Sequence, residues 1–339
     1  MIQYLHIQFI YIDILSIYMQ SVASAPGKAI LFGEHAVVFG KPAIAFAVDR
    51  RATITIKKGS IDTTFDSPIL NLKAELDLIE GNIKLIKGHS GIVKYVLEAV
   101  LKRHDGSPID IILDMEMPIG AGLGSSAAVT VATLAALENY HQRDISVSKI
   151  AKMAHEIEIK VQRSASPLDT TISAFGGIIY LSEHSEVIPL KLDLEDSMVI
   201  GYTSSRGNTG EMVAGVKKRR DLNPEIMDPV IDSIGNITNK AKSLLNLENL
   251  SNEKMEALGE LMNINHGLLD AIGVNTLELS DMVYIARKAG AIGSKITGAG
   301  GGGSIIALCN GDGERVLLEL KKKENAIKAD FSRKGIIIH

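Results

Sequence analysis

PIGAGLGSSAA, residues 118–128, is the stretch on which the reading of this chain turns. It follows PIDIILDMEM (108–117), where Ile109, Ile111, Leu113, Met115 and Met117 alternate onto one face, the pattern of a half-buried strand. It leads into AVTVATLAAL (128–137), whose small side chains predict a helix packed closely against a sheet. A strand, a run of glycines and a helix that opens on two serines aim backbone N–H groups and the positive end of a helix dipole at one point, which suits a phosphate. Gly120, Gly122 and Gly124 let the backbone approach an anion with no Cβ in the way. The dinucleotide fingerprint G-x-G-x-x-G fails, because Ser125 stands where its last glycine belongs. The Walker A pattern fails as well: Gly40-Lys41 is followed by Pro42, and His35 occupies the place of the first glycine. A tight strand–helix turn without a ligand uses the same glycines, so this motif alone leaves both readings open.

Working outward, KITGAGGGGS (295–304) places five glycines among residues 298–303. Such a run costs backbone entropy and would weaken an ordinary strand or hairpin. A flexible linker is the plain alternative, but a linker has no place between an amphipathic helix and the apolar run SIIAL. Two anion-suited loops in one chain fit a polyphosphate. In SAPGKAILFGEHAVVFGKPA (24–43), Lys28, Glu34 and His35 stand among small and apolar residues. A buried lysine is costly without an anionic partner. Taken singly, a simple salt bridge and a core histidine remain the plainer readings there. In SASPLDTTISAFGG (164–177), Asp169 follows a turn and precedes an apolar strand; aspartate is also a common turn-capping residue.

The remaining sequence sets the frame. With 339 residues, 46% hydrophobic and 22% charged, the chain has the composition of a globular protein and length for two domains or one large α/β domain. A net charge of −4 gives no global attraction to nucleic acid or anionic membrane, and neither is expected as a partner. The single cysteine, Cys309, excludes an intramolecular disulfide and a Cys-rich metal site, reads as core packing, and fits a reducing cytoplasm. Residues 1–19 are rich in Ile and Tyr, lack Lys and Arg, and are interrupted by Asp13. They resemble neither a secretory signal nor a spanning helix and are expected to be a dispensable extension, with Met19 as the natural start; a genuine extra strand or interfacial segment is the alternative. Ile150, Met153, Ala154, Ile157 and Val161 form one apolar stripe and predict a helix over 147–162. Glu158 flanks that stripe and can reach a cleft, whereas Glu156 lies on the far, solvated face. Further strands are expected at 52–57, 176–182, 198–203, SIIAL and GIIIH, with helices through VAGVKKRR, across 228–272 and near 312–325. Ser280 is expected to N-cap a helix that ends at Gly290. Lys217–Arg220 and Lys321–Lys323 read as solvated helix faces. The polar stretch 183–197 suggests a boundary between two α+β blocks with a cleft between them.

Together, PGKAILFGEH, PIGAGLGSSAA and KITGAGGGG, in that order, resemble the three motifs of the GHMP kinases. The resemblance runs from about residue 22 to the C-terminal region. It implies a two-domain fold: an N-terminal domain like the second domain of ribosomal protein S5 (residues 20–185) and a ferredoxin-like C-terminal domain (186–339). It implies ATP held by Pro118, Gly120, Ala121, Gly122, Leu123, Gly124, Ser125 and Ser126, with Gly298, Gly300 and Gly301 opposite. Mg²⁺ is implied at Ser126 and Glu158, with Ser125 as a substitute for Ser126. Asp169 matches the position of the general base and Lys28 that of its cationic partner. Substrate contacts are implied for Lys28, Glu34, His35, Asp169 and Thr209. Within the family, residues 24–43, NTGEMVAGVKKR (208–219) and NINHGLLDAIGV (263–274) are similar to members that phosphorylate the C5 hydroxyl of mevalonate, which implies a small-molecule substrate and a homodimer. An extra residue before Thr209 departs from the pattern and leaves the role of Arg206 open. Members acting on phosphorylated acceptors would carry more basic residues near the acceptor. A ligand sensor would have no joint need of Lys28, Glu158 and Asp169.

Overall fold

The computed structural model describes residues 20–118, 120–163, 165–190, 197–204, 208–245, 251–311 and 313–339. The expected extension at 1–19 and Arg206 lie outside the described residues. The first half of the chain is built on a long antiparallel pair, β1 (Gln20–Phe32) and β2 (Ala43–Lys58). There follow β3 (Thr63–Ser67), β4 (Leu72–Asp77), β5 (Asn82–Lys87), α1 (Val93–Arg103), β6 (Ile109–Met115), α2 (Ser125–Tyr140), α3 (Val147–Gln162), α4 (Leu168–Phe175), β7 (Ile178–Leu181) and β8 (Val187–Leu190). The second half comprises β9 (Met198–Tyr202), α5 (Thr209–Leu222), α6 (Pro224–Leu245), α7 (Asn252–Ala271), α8 (Leu277–Ala289), β10 (Ala291–Thr297), β11 (Ser304–Cys309), α9 (Glu314–Lys321), β12 (Asn325–Lys328) and β13 (Ile337–Ile338).

The larger sheet runs β13-β1-β2-β6-β3-β4-β5, with β7 also on β2 and β8 on β7. The alternation read in β6 is real: Ile109, Ile111, Leu113 and Met115 are buried, and they pack with Ile54, Ile56 and Phe65 beneath α1, α2 and α3. Helix α2 is buried continuously from Ala127 to Glu138, and its alanines allow that close approach. Helix α3 spans the predicted residues, with Ile150, Ala154 and Ile157 on the buried stripe. The smaller sheet is antiparallel, in the order β10-β11-β9-β12, and α7 and α8 pack against β10.

Four local expectations are corrected. Asp169 lies in the first turn of a helix, α4, which Pro167 precedes as N-cap, and the strand comes only after it; burial of Thr170, Thr171 and Ile172 overrides their β-branched preference. Thr276, not Ser280, caps α8, its side chain accepting from Leu279 N–H; Ser280 lies inside the helix and accepts from Asn275. Gly290 does end α8 in the left-handed region, at φ 111°. The glycine run after Lys295 leaves a strand, β10, rather than a helix. A cut at 185–186 would separate β7 from β8, which pair with each other, and would detach β13 from β1. The two blocks are therefore interleaved in sequence.

Candidate active site

The two sheets meet along a cleft of about 480 Å³ where the end of β1 faces the end of β10. Pro26 has no N–H for the ladder, and the β1–β2 register shifts between Pro26 and Gly27. Immediately after this irregularity, Lys28 N–H donates to Leu123 O at 2.9 Å, stitching β1 to the first glycine loop. Gly124 is required by what lies beside it. Its φ is 70°, and a Cβ there would stand 2.7 Å from Lys28 Cγ. Ala121 and Leu123 turn their side chains into the core and offer only backbone to the loop. Helix α2 starts at Ser125 with no side-chain cap, so its first N–H groups face the cleft unclaimed by a capping side chain.

Four of the expected chemical residues converge here. Lys28 Nζ lies 3.2 Å from Asp169 Oδ1; the lysine side chain is 5% exposed and the aspartate 31%. Ser126 Oγ donates to Glu158 Oε1 at 3.0 Å. Burial, reinforced by the nearby Asp169 charge, pushes the Glu158 carboxyl up to about 8, against the Ser126 hydrogen bond and Lys28. Glu156, by contrast, is paired with Lys102 on the outer face, 2.8 Å away. Behind Ser126 and Glu158, Gln162 donates to Tyr95 Oη at 2.8 Å, a support that sequence patterns did not reveal.

On the facing side, Gly298, Gly300, Gly302 and Gly303 line the cleft. Gly301 is set back: its N–H donates to Val274 O at 2.8 Å, and a Cβ on it would meet Met212. Thr297 holds this loop against β1, accepting from Ile30 N–H at 2.8 Å and donating to Ile30 O at 3.0 Å. Ser304 Oγ donates to Ala121 O, joining the two glycine loops. His35 Nε2 lies 2.9 Å from Ala299 O. A carbonyl only accepts, so Nε2 carries the proton, and burial holds the ring below its usual pKa and neutral. Its Nδ1 has no partner among the described residues and keeps a lone pair. Thr209 lines the cleft at the start of α5, whose N-cap Asn208 accepts from Gly210 and Glu211. A second cavity of about 320 Å³ shares Gly120 with the first and is bordered by Pro118, Ala121, His89 and Tyr202.

Glu34 is elsewhere. It is fully buried, ion-paired with the equally buried Lys295, and its other oxygen accepts from Asn265 at 3.2 Å. Burial raises the carboxyl and lowers the amine, while the attraction within the pair opposes both shifts. Its expected substrate contact is therefore replaced by a structural one, a clamp between the two sheets. Lys295 and Asn265 were missed because no local pattern links them to Glu34.

Residues 91–177 match the family model described as the GHMP kinases N terminal domain, and residues 246–326 match GHMP kinases C terminal. The chain is 49% identical over 319 residues to a mevalonate kinase of Methanothermobacter thermautotrophicus, covering 94% of this chain and 100% of that one. It is 42% identical over 309 residues to the mevalonate kinase of Pyrococcus horikoshii, covering 88% and 91%. The crystal structure of the Methanococcus jannaschii mevalonate kinase superposes with a TM-score of 0.75 at 30% identity, covering 94% of this chain and 96% of that one.

Proposed function

This chain belongs to the GHMP kinases, among the mevalonate kinases, and from that premise we propose that its cleft transfers the γ-phosphoryl group of ATP to the C5 hydroxyl of (R)-mevalonate, giving 5-phosphomevalonate and ADP. The observation that carries the reading is the Lys28–Asp169 pair standing between two glycine loops in one cleft. The triphosphate lies across Gly120–Ser126 and the N-terminus of α2, faced by Gly298 and Gly300, with Gly301 supporting them from behind. The base and ribose extend past Gly120 into the second cavity. Asp169 accepts the C5 hydroxyl proton as that oxygen attacks the γ-phosphorus, and the bond from phosphorus to the β,γ-bridging oxygen breaks toward ADP. Lys28 keeps Asp169 oriented and stabilises the negative charge that develops on the attacking oxygen. His35 and Thr209 bind the substrate's polar groups, His35 through the lone pair on Nδ1.

The donor set beside the glycine loop, a buried carboxyl and a hydroxyl, is oxygen only and fits Mg²⁺. Glu158 and Ser126 would hold it, Ser125 being the substitute for Ser126. When bound, it neutralises phosphate charge. The reading extends to a cytoplasmic homodimer whose partners are small molecules. The single thiol agrees with a reducing compartment, and among the described residues no helix is long and apolar enough to cross a membrane.

The test is ADP release by the purified protein with Mg-ATP, with and without mevalonate. Turnover with mevalonate is expected. Turnover on galactose, homoserine or phosphomevalonate, with none on mevalonate, overturns the reading.

A further inference from the structure

At the far end of α1 and α2 from the glycine loop, two histidines occupy equivalent places. His104 is the first residue past α1 and His141 the first past α2; their N–H groups close the helices on Val100 O at 2.8 Å and Leu137 O at 3.0 Å. The imidazole of His104 is fully buried. Its Nε2 faces Ser107 O, a pure acceptor, so Nε2 carries the proton and Nδ1 a lone pair. His141 Nε2 stands 2.9 Å from that lone pair. Tyr140 packs edge-on against His141, ring centroids 5.3 Å apart, and limits how the ring turns. Asp105 Oδ1 lies 3.5 Å from His104 Nε2, on the side of the ring that faces Ser107, and is fixed there by Ser107 N–H at 3.0 Å and Ser107 Oγ at 2.7 Å. One nitrogen from each histidine and a carboxylate oxygen of Asp105 all lie within 4.8 Å of one another.

We propose that His104, His141 and Asp105 form a binding site for a divalent transition metal of the Zn²⁺ type, which ties the C-terminal ends of α1 and α2 together. Two imidazole nitrogens and one carboxylate oxygen are a zinc-like donor set, with water completing a tetrahedron; Mg²⁺ prefers oxygen throughout. The hydrogen bond from His104 Nε2–H to a backbone carbonyl is the outer support that aims a metal-binding histidine. Both helices end here, so the negative ends of two dipoles favour a cation. Two neighbouring cationic side chains are held by a carboxylate, though the charge of one of them, Arg143, still reaches His141. Arg103 and Arg143 turn onto Glu138, Arg103 Nη2 at 2.8 Å and Arg143 Nη1 at 3.8 Å, and Arg143 also donates to Arg103 O. Metal–nitrogen bonds of ~2.0–2.1 Å at a tetrahedral angle need nitrogens ~3.3 Å apart. A small swing of His141, whose proton then sits on Nδ1, supplies that opening, and the exposed Asp105 carboxylate turns from Ser107 and the Nε2 side of His104 to supply the oxygen.

The experiment is calorimetric titration of the full-length, chelator-stripped protein with ZnCl₂ alone, without nucleotide or Mg²⁺, beside a Co²⁺ titration read by visible absorption. Expected are one metal per chain, the absorption of tetrahedral Co²⁺, and a metal-dependent rise in Tm. His141→Ala and Asp105→Asn, at half-buried and exposed positions, each weaken binding by at least ~10-fold and remove the Tm rise. Their metal-free Tm and circular dichroism stay near those of the unmodified protein. Glu158→Gln, in the cleft, leaves the metal titrations unchanged. If neither metal binds, if both His141→Ala and Asp105→Asn still bind, or if Glu158→Gln abolishes binding, the histidines are a hydrogen-bonded pair and the proposal falls.

Discussion

Asp169 is held on the first turn of α4, where the helix dipole favours its charge, and one oxygen faces Lys28 at 3.2 Å. Asp169→Asn keeps the size and the hydrogen-bonding oxygen but has no basic site for a proton. Its kcat is expected to fall by ~10²–10⁴-fold while ATP binding persists, measured on protein whose fold is verified by circular dichroism. Near-normal turnover would reduce Asp169 to a helix-start residue, since Asn serves there almost as well. Glu158 supplies a second test. Its folded value of about 8 lies above the ordinary 4.5, so the folded chain retains a proton that the unfolded chain releases. That stabilisation is complete below about pH 4.5, shrinks as pH rises, and is lost by about pH 8. Gln buries no charge at any pH. Without Mg²⁺, the stability of Glu158→Gln relative to the unmodified protein should therefore rise between acid and alkaline pH, by up to a few kcal/mol. With Mg-ATP the same variant should need more Mg²⁺ for half-maximal rate. A flat difference across pH would mean that Glu158 is not held protonated. Glu158 was legible because two residues, about 200° of helical turn, set it on the opposite face from the solvated Glu156. The fate of Glu34 was not legible, because its partner Lys295 lies 261 residues further along.

The elements that carry the site owe their positions to a few backbone choices. Gly124→Ala tests one: the position sits at φ 70°, and the added methyl meets the Lys28 stem at 2.7 Å. A loss of ~1–3 kcal/mol in stability is expected from the conformational strain, with a larger proportional loss in kcat/KM for ATP as Lys28 is displaced. Denaturant midpoints and steady-state kinetics measure the two; unchanged kinetics would show that the loop does not constrain Lys28. Gly40→Ala is the control, since its φ is also positive, at 77°, but no atom lies within 4 Å of the added methyl. Periodicity found β6 and α3 because one buried face repeats over several turns or pleats. It failed for α4, a short element rich in Thr and Ile whose helix is set by burial and by the turn before it. It also failed for β10, where Gly293 and Lys295 break the apolar pattern; Gly293 is there because α7 passes so close that a Cβ would stand 2.5 Å from Gly259 Cα.

Across the whole molecule, the Glu34–Lys295 pair fastens the smaller sheet to the segment that follows β1. Lys295→Met leaves a buried carboxylate without its cation and should destabilise the protein by ~3–5 kcal/mol, while Glu34→Gln in the same chain should recover part of that loss. Thermal or denaturant unfolding of the single and double variants measures the coupling, and additive losses would show that the pair is not a clamp. The two-block architecture was legible from the order of the loops, but the return of the chain to its own beginning was not, because GIIIH carries no mark of its partner. Ile337 and Ile338 pair with Ser24 and Ala23, Phe331 packs on Phe46 with ring centroids 4.6 Å apart, and Arg51 donates to Ser24 O, Ser332 Oγ and Gly335 O. During synthesis, then, Ala23 and Ser24 of β1 wait for these partners until Ile337 and Ile338 have left the ribosome. A nascent chain released before them presents that stretch of β1 to its neighbours, so copies that stop short of Ile337 are directed toward aggregation or chaperone capture.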